Sequence, residues 1–173
     1  MNLANWLTMS RIFLVPIFMV LLLEKIPYGA EWAAAVFVLA AATDGLDGYV
    51  ARRRREITRF GQLIDPIADK LLISAALLSL VQLGEINAWV ALIIIGREFT
   101  VSGLRILAAA EGQVIAASKL GKVKTVTQIT AMLFLILGLP GGLPLIWAAA
   151  GITLVSGAHY FLHAQDILRD VQA

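Results

Sequence analysis

The feature that most restricts this chain is the recurrence, six times in 173 residues, of an apolar stretch about as long as a lipid bilayer is thick. A helix of about 20 residues spans the ~30 Å hydrocarbon layer. The first stretch, Ile12 to Leu23, is broken only by Pro16 and follows a mixed segment, Asn2 to Arg11, that carries Trp6. Pro27 and Gly29 mark a turn, and a second helix is expected over Ala30 to Arg54. A third runs from Gly61 or Asp65 to Leu83, its start left open by Pro66, because proline inside a helix removes a hydrogen bond and favours the first turn. A fourth is expected over Asn87 to Ala110, followed by a basic linker, Lys119 to Lys124. The fifth, Val123 to Leu139, is ended by Pro140, Gly141, Gly142 and Pro144, and the sixth covers Leu145 to Arg169.

Composition agrees, with 60% hydrophobic and 15% charged residues where soluble domains have about 45–50% and 25%. The expected fold is an all-α integral membrane protein of six transmembrane helices with a short N-terminal interfacial segment, in a single domain over residues 1–173. A cleaved secretory leader is the competing account of the N-terminus. No small-residue cleavage signal follows the first apolar run, and the later stretches are equally apolar.

Basic residues set the orientation. Arg11, Arg52 to Arg55, Arg59, Lys119, Lys122, Lys124 and Arg169 fall on one side of the six spans and only Lys25 on the other. Cytoplasmic loops carry the excess of Lys and Arg, so the N-terminus is expected in the cytoplasm. The net charge of +2 and the pI near 9.2 come from these helix-end clusters and do not argue for nucleic acid. The absence of cysteine rules out thiolate metal sites and a disulfide framework.

Against this background the segment Asp44 to Asp69, DGLDGYVARRRREITRFGQLIDPIAD, holds four of the six aspartates. A carboxylate at membrane depth is costly unless it faces a cavity, a cation or a metal. At about 100° per residue, Asp44, Asp47, Gly48 and Ala51 share one helix face, and Asp65 and Asp69 are stacked one turn apart near Ala68. Two helices would thus offer two acids each to one water-facing pocket, a donor set suited to hard divalent cations such as Mg²⁺ or Mn²⁺.

The spacing D-x2-D-G-x2-A-R-x8-G-x3-D-x3-D, met by Asp44, Asp47, Gly48, Ala51, Arg52, Gly61, Asp65 and Asp69, resembles the signature of the CDP-alcohol phosphotransferase family. Asn5, Leu7, Thr8 and Arg11 resemble the N-x-L-T-x2-R opening of bacterial members that use glycerol 3-phosphate. So do Arg97, Glu98, Leu104 and Arg105, and Gly121 to Thr125. The resemblance covers nearly the whole chain. It implies a metal-dependent phosphatidyltransferase of the bacterial inner membrane, multi-pass, with its site facing the cytoplasm. CDP-diacylglycerol would be the donor, sn-glycerol 3-phosphate the acceptor, membrane lipids its surroundings and a homodimer its state. Two divalent ions, Mg²⁺ or Mn²⁺, would be held by Asp44, Asp47, Asp65 and Asp69, with Asp69 also the catalytic base. Asn5, Thr8, Gly48, Ala51, Arg52 and Gly61 would seat the CDP moiety. Arg105, Lys122 and Lys124 are expected to meet the acceptor phosphate.

Two alternatives stand beside these expectations. Glu98 and Arg105, seven residues apart, are nearly eclipsed on a helix and suit an ion pair as well as Arg105 suits a substrate. His159, His163 and Asp166 share a face at metal-ligating spacing, although the family pattern does not call on them. Of rival functions, inositol phosphate, serine or phosphatidylglycerol as acceptor stays within the family. A divalent-cation transporter would differ in class, and internal repeats with matching broken helices, its usual sign, are not found.

Overall fold

The computed structural model describes the backbone of residues 3–54, 59–110 and 119–170; side chains within these are described except at 3–5, 7, 44–54, 59–63, 65, 66, 69, 110, 119, 120, 159 and 162–170. Six helices follow one another: α1 (Leu3–Leu23), α2 (Gly29–Arg54), α3 (Arg59–Gln82), α4 (Ala88–Ala110), α5 (Lys119–Ile136) and α6 (Gly142–Asp170). No strand occurs among the described residues.

Local chemistry sets the ends. Asn87 caps α4, its Oδ1 accepting the Trp89 N–H at 2.9 Å, as an N-cap amide should. Gly84 (φ 77°) and Gly138 (φ 62°) take the left-handed conformation just after α3 and α5. There the Glu85 N–H reaches the Leu80 carbonyl (2.9 Å) and the Leu139 N–H that of Phe134 (2.8 Å), closing both helices by the six-to-one bond of a Schellman turn. Pro144 falls in the first turn of α6, where its missing N–H costs no intrahelical bond.

Three expectations change. The N-terminal stretch is not a separate interfacial segment but the first turns of α1, which runs unbroken through Pro16. Thr8 and Arg11 are both 1% exposed there, and partners supplied by the neighbouring helices let the polar turns join the bundle. The third helix is already formed at Arg59, ahead of both anticipated positions, so Pro66 sits inside it. The basic linker of Lys119 to Lys124 is the first part of α5. Lysine has good helix propensity, and Lys124 is buried against α4 rather than left in a solvated turn.

Short connections make sequence neighbours antiparallel. Arg11 meets Ala40, whereas Phe18, two turns further along α1, meets Phe37 of the returning helix at 5.7 Å between ring centroids. Helix α3 packs against α1, α2, α4 and α5, while α6 packs against α4 and α5. The apolar core joins Phe18, Phe37, Leu77, Leu80, Ile94, Met132 and Ile146, each fully buried.

Among the described residues no helix is long and apolar enough to cross a membrane. Charge interrupts the helices near one end: α4 contains Arg97, Glu98 and Arg105, and α5 opens with Lys119, Lys122 and Lys124. Large apolar side chains nevertheless cover the outside, including Phe13, Leu39, Ile106 and Val126. All four tryptophans, Trp6, Trp32, Trp89 and Trp147, are well exposed and lie in the first or second turn of their helices.

Candidate active site

The polar end of the bundle begins at Arg11. Its guanidinium is driven under α2, where Nε donates to the Ala40 carbonyl at 3.2 Å. Thr43 Oγ1 donates to the same carbonyl at 2.7 Å. A buried cation is tolerable only with such partners, and these lie on the turn of α2 that ends at Asp44. Arg11 therefore ties α1 to the start of the aspartate motif.

Asp44 and Asp47 are on α2, and Asp65 and Asp69 on α3, so the three- and four-residue spacings fall within continuous helices, and the two helices pack together. Register places positions 65 and 69 on the face of α3 that Ala68 and Leu72 continue into the core. The four carboxylate side chains lie outside the described residues, as do the side chains of Asn5, Gly48, Ala51, Arg52 and Gly61. A donor set of four carboxylates with no thiolate, on two packed helices, fits hard divalent cations. Among the described residues, which do not include those carboxylates, no cluster of acids or histidines could hold a metal. The His159, His163 and Asp166 side chains lie outside the described residues.

Beside the motif is a cavity of about 550 Å³. Helix α3 contributes Lys70; α4 contributes Arg97, Glu98, Ser102 and Arg105; α5 contributes Lys122, Lys124 and Thr125; and α6 contributes Tyr160. The cavity gathers five cations and one acid from these described residues, an excess suited to an anionic ligand. Arg105 and Lys122 are exposed at its mouth. A second chamber of about 220 Å³ shares Glu98, Lys124 and Thr125 with the first and extends to Arg11, Leu72 and Gln128.

The three basic residues singled out in the sequence, Arg105, Lys122 and Lys124, all line this cavity, the first two exposed and the third buried. The Lys124 ammonium pairs with Glu98 Oε1. Arg97 Nη1 donates to the same oxygen at 3.2 Å, and Arg97 Nη2 donates to Ser156 Oγ at 2.7 Å. The Glu98–Arg105 ion pair, one of the two alternatives the spacing allowed, does not form; Glu98 pairs with Arg97 and Lys124. On α4 the eclipsed spacing is outcompeted by the adjacent Arg97 and by Lys124, which reaches across from α5. Nothing in sequence spacing reports that second partner.

Sequence reasoning also passed over Lys70, Ser102, Gln128 and Tyr160, which line these spaces. Lys70 follows Asp69 directly and had a local signal. Gln128 and Tyr160 had none, because each is one uncharged polar residue among several on its helix and its spacing singles it out for no partner.

Residues 1–157 match the family model described as CDP-alcohol phosphatidyltransferase. A protein of Bacillus subtilis named CDP-diacylglycerol--glycerol-3-phosphate 3-phosphatidyltransferase is 44% identical, with 97% of each chain covered. Proteins of the same name from Rickettsia felis (38% identical, 92% of this chain and 93% of the relative) and Pseudomonas fluorescens (39%, 98% and 93%) are similar over comparable lengths.

Proposed function

The chain belongs to the CDP-alcohol phosphatidyltransferase family, and from that premise we infer that it transfers a phosphatidyl group from CDP-diacylglycerol to sn-glycerol 3-phosphate, releasing CMP. The observation that carries the acceptor assignment is the cavity lined by Lys70, Arg97, Arg105 and Lys122 beside the turn of α3 that contains Asp69. A phosphate dianion calls for such cations, and its position next to Asp69 suits an acceptor whose hydroxyl must be deprotonated.

Members of the family use divalent metal ions. In this reading Asp44, Asp47, Asp65 and Asp69 hold two of them, Mg²⁺ or Mn²⁺, which when bound neutralise the pyrophosphate and the departing CMP. The remaining work falls to the chain. Gly48, Ala51 and Gly61 let the nucleotide approach the backbone, and Arg52, Asn5 and Thr8 supply its polar contacts. Asp69 takes the proton of the acceptor hydroxyl as that oxygen attacks the diacylglycerol-bearing phosphorus. Arg105 and Lys122 hold the acceptor phosphate, and Lys124 acts through Glu98.

The setting proposed is the bacterial inner membrane, with six spans, a cytoplasmic N-terminus and a homodimeric assembly. Exposed large apolar side chains on all six helices and tryptophans near the helix ends support a lipid surround. Cysteine at Thr58 should be labelled only from the cytoplasmic side and cysteine at Glu85 only from outside; the reverse pattern would put the site on the wrong leaflet.

Purified protein given CDP-diacylglycerol and a panel of glycerol 3-phosphate, inositol phosphate, serine and phosphatidylglycerol should release CMP with the first alone. CMP release with another member of the panel and not with glycerol 3-phosphate would overturn the acceptor assignment.

A further inference from the structure

The larger cavity has unlike ends. Its mouth carries the exposed cations Arg105 and Lys122, while Glu98, the one carboxylate among its described lining residues, stands where it meets the smaller chamber. An acid facing an anion pocket repels the ligand unless neutralised and given something to bind. Neutralisation is visible: Arg97 and Lys124 flank the carboxylate, with side chains 12% and 7% exposed against 17% for Glu98.

The same contacts leave one oxygen over. Both cations engage Oε1 and neither engages Oε2. The carboxylate is also fixed in place from behind. Arg97 is held by Ser156 and lies against Gly157, where an added Cβ would sit 3.1 Å from Arg97 Cγ. Three helices thus hold one carboxylate with a free acceptor atom at the wall of a cationic cavity.

We propose that Glu98 determines acceptor specificity by accepting, at Oε2, a hydrogen bond from the C2 hydroxyl of glycerol 3-phosphate. This rests on the acceptor reading above. Glycerol 3-phosphate has the same two-ended character as the cavity, a dianion at one end and hydroxyls at the other. With its phosphate at the cationic mouth and its C1 hydroxyl committed to Asp69, the C2 hydroxyl is the donor left to meet the acid. A charged acceptor that finds no donor in a closed site is penalised, so an analogue lacking that hydroxyl should be rejected.

The test compares kcat/KM for sn-glycerol 3-phosphate and 3-hydroxypropyl phosphate, which lacks only the C2 hydroxyl, with CDP-diacylglycerol as donor. The wild-type protein should favour glycerol 3-phosphate by about tenfold to a hundredfold, the range of one hydrogen bond to a charged group. In Glu98→Ala the preference should fall to near unity; loss of a purely structural role would lower both substrates equally and preserve the ratio. Removing Glu98 alone takes an ion-pair partner from the buried Lys124, so the double variant Glu98→Met, Lys124→Met is a second route to the same ratio. A preserved ratio in either variant overturns the proposal. So does equal use of the two substrates by the wild-type protein, a result independent of whether any variant folds. CMP release with some other acceptor and none with glycerol 3-phosphate would sink the acceptor reading, and this inference with it.

Discussion

Where α1 crosses α2 the contact at one level is between Phe18 and Phe37, two rings 5.7 Å apart; two turns back along α1 and about one turn on along α2 it is between the guanidinium of Arg11 and the Ala40 carbonyl. The same change runs through the whole bundle. At the end holding the 24–28, 83–87 and 137–141 connections, the interior is built of Leu, Ile, Phe and Met. Toward the other end it holds Thr8, Arg11, Lys124, Gln128 and Ser156, with Thr153 one turn before Ser156 on α6; among the described residues Ser79 is buried well inside the apolar half. An apolar core tolerates imperfect partners at the cost of volume, whereas a buried polar network tolerates almost none. One end is therefore built for stability, and the other, where the proposed chemistry would take place, depends on it for geometry.

The widest gap between the ends should appear in the aspartates. Losing one metal ligand removes several kcal/mol of transition-state stabilisation, so Asp44→Asn, Asp47→Asn or Asp65→Asn should lower kcat by about a thousandfold with folding unchanged. Near-normal turnover over a range of Mg²⁺ and Mn²⁺ concentrations would remove that residue from the ligand set. At the apolar end the signature should invert. Phe37→Ala should cost about 3–5 kcal/mol in stability, read as a lower melting temperature in detergent, with both KM values unchanged below that temperature. A large shift in KM instead would erase the division of labour.

Within the polar end the comparison can be sharpened. Arg105→Ala or Lys122→Ala should raise the KM for glycerol 3-phosphate about tenfold to a hundredfold, the value of one charge-assisted contact, with little change for CDP-diacylglycerol. Arg52→Ala should do the opposite. Donor affinity lost in the Arg105 and Lys122 variants would move the acceptor phosphate elsewhere. The smallest effect is expected at Gly157, where Ala gains about 0.5–1 kcal/mol in helix propensity and loses about as much by crowding Arg97. Gly157→Ala should leave the melting temperature nearly unchanged while shifting acceptor KM a few-fold.

Six helices were legible because apolar length and glycine or proline punctuation are properties of single segments. Gly29 and Ala88, the first residues of α2 and α4, lie one residue from their anticipated starts. The aspartate motif was legible for the same reason, since its spacing is contained within two helices. What failed depends on partners from elsewhere in the chain. Lys119 to Lys124 looked like a linker because its charge was visible and the acid awaiting Lys124 was not. The N-terminal segment looked interfacial because the carbonyl of Ala40, which satisfies Arg11, is a backbone atom with no sequence signature. Spacing offered Arg105 to Glu98 as readily as to a substrate, and proximity through space gave Glu98 to Arg97 and Lys124.

The placement of the tryptophans has a spectroscopic consequence. Indole emission follows polarity around the ring, and none of the four rings is sealed in the core. Loss of the Phe18 and Phe37 packing would be almost silent in tryptophan fluorescence. Exchange of detergent for lipid, which alters what surrounds Trp6, Trp32, Trp89 and Trp147 without unfolding anything, should move the emission more than denaturation does.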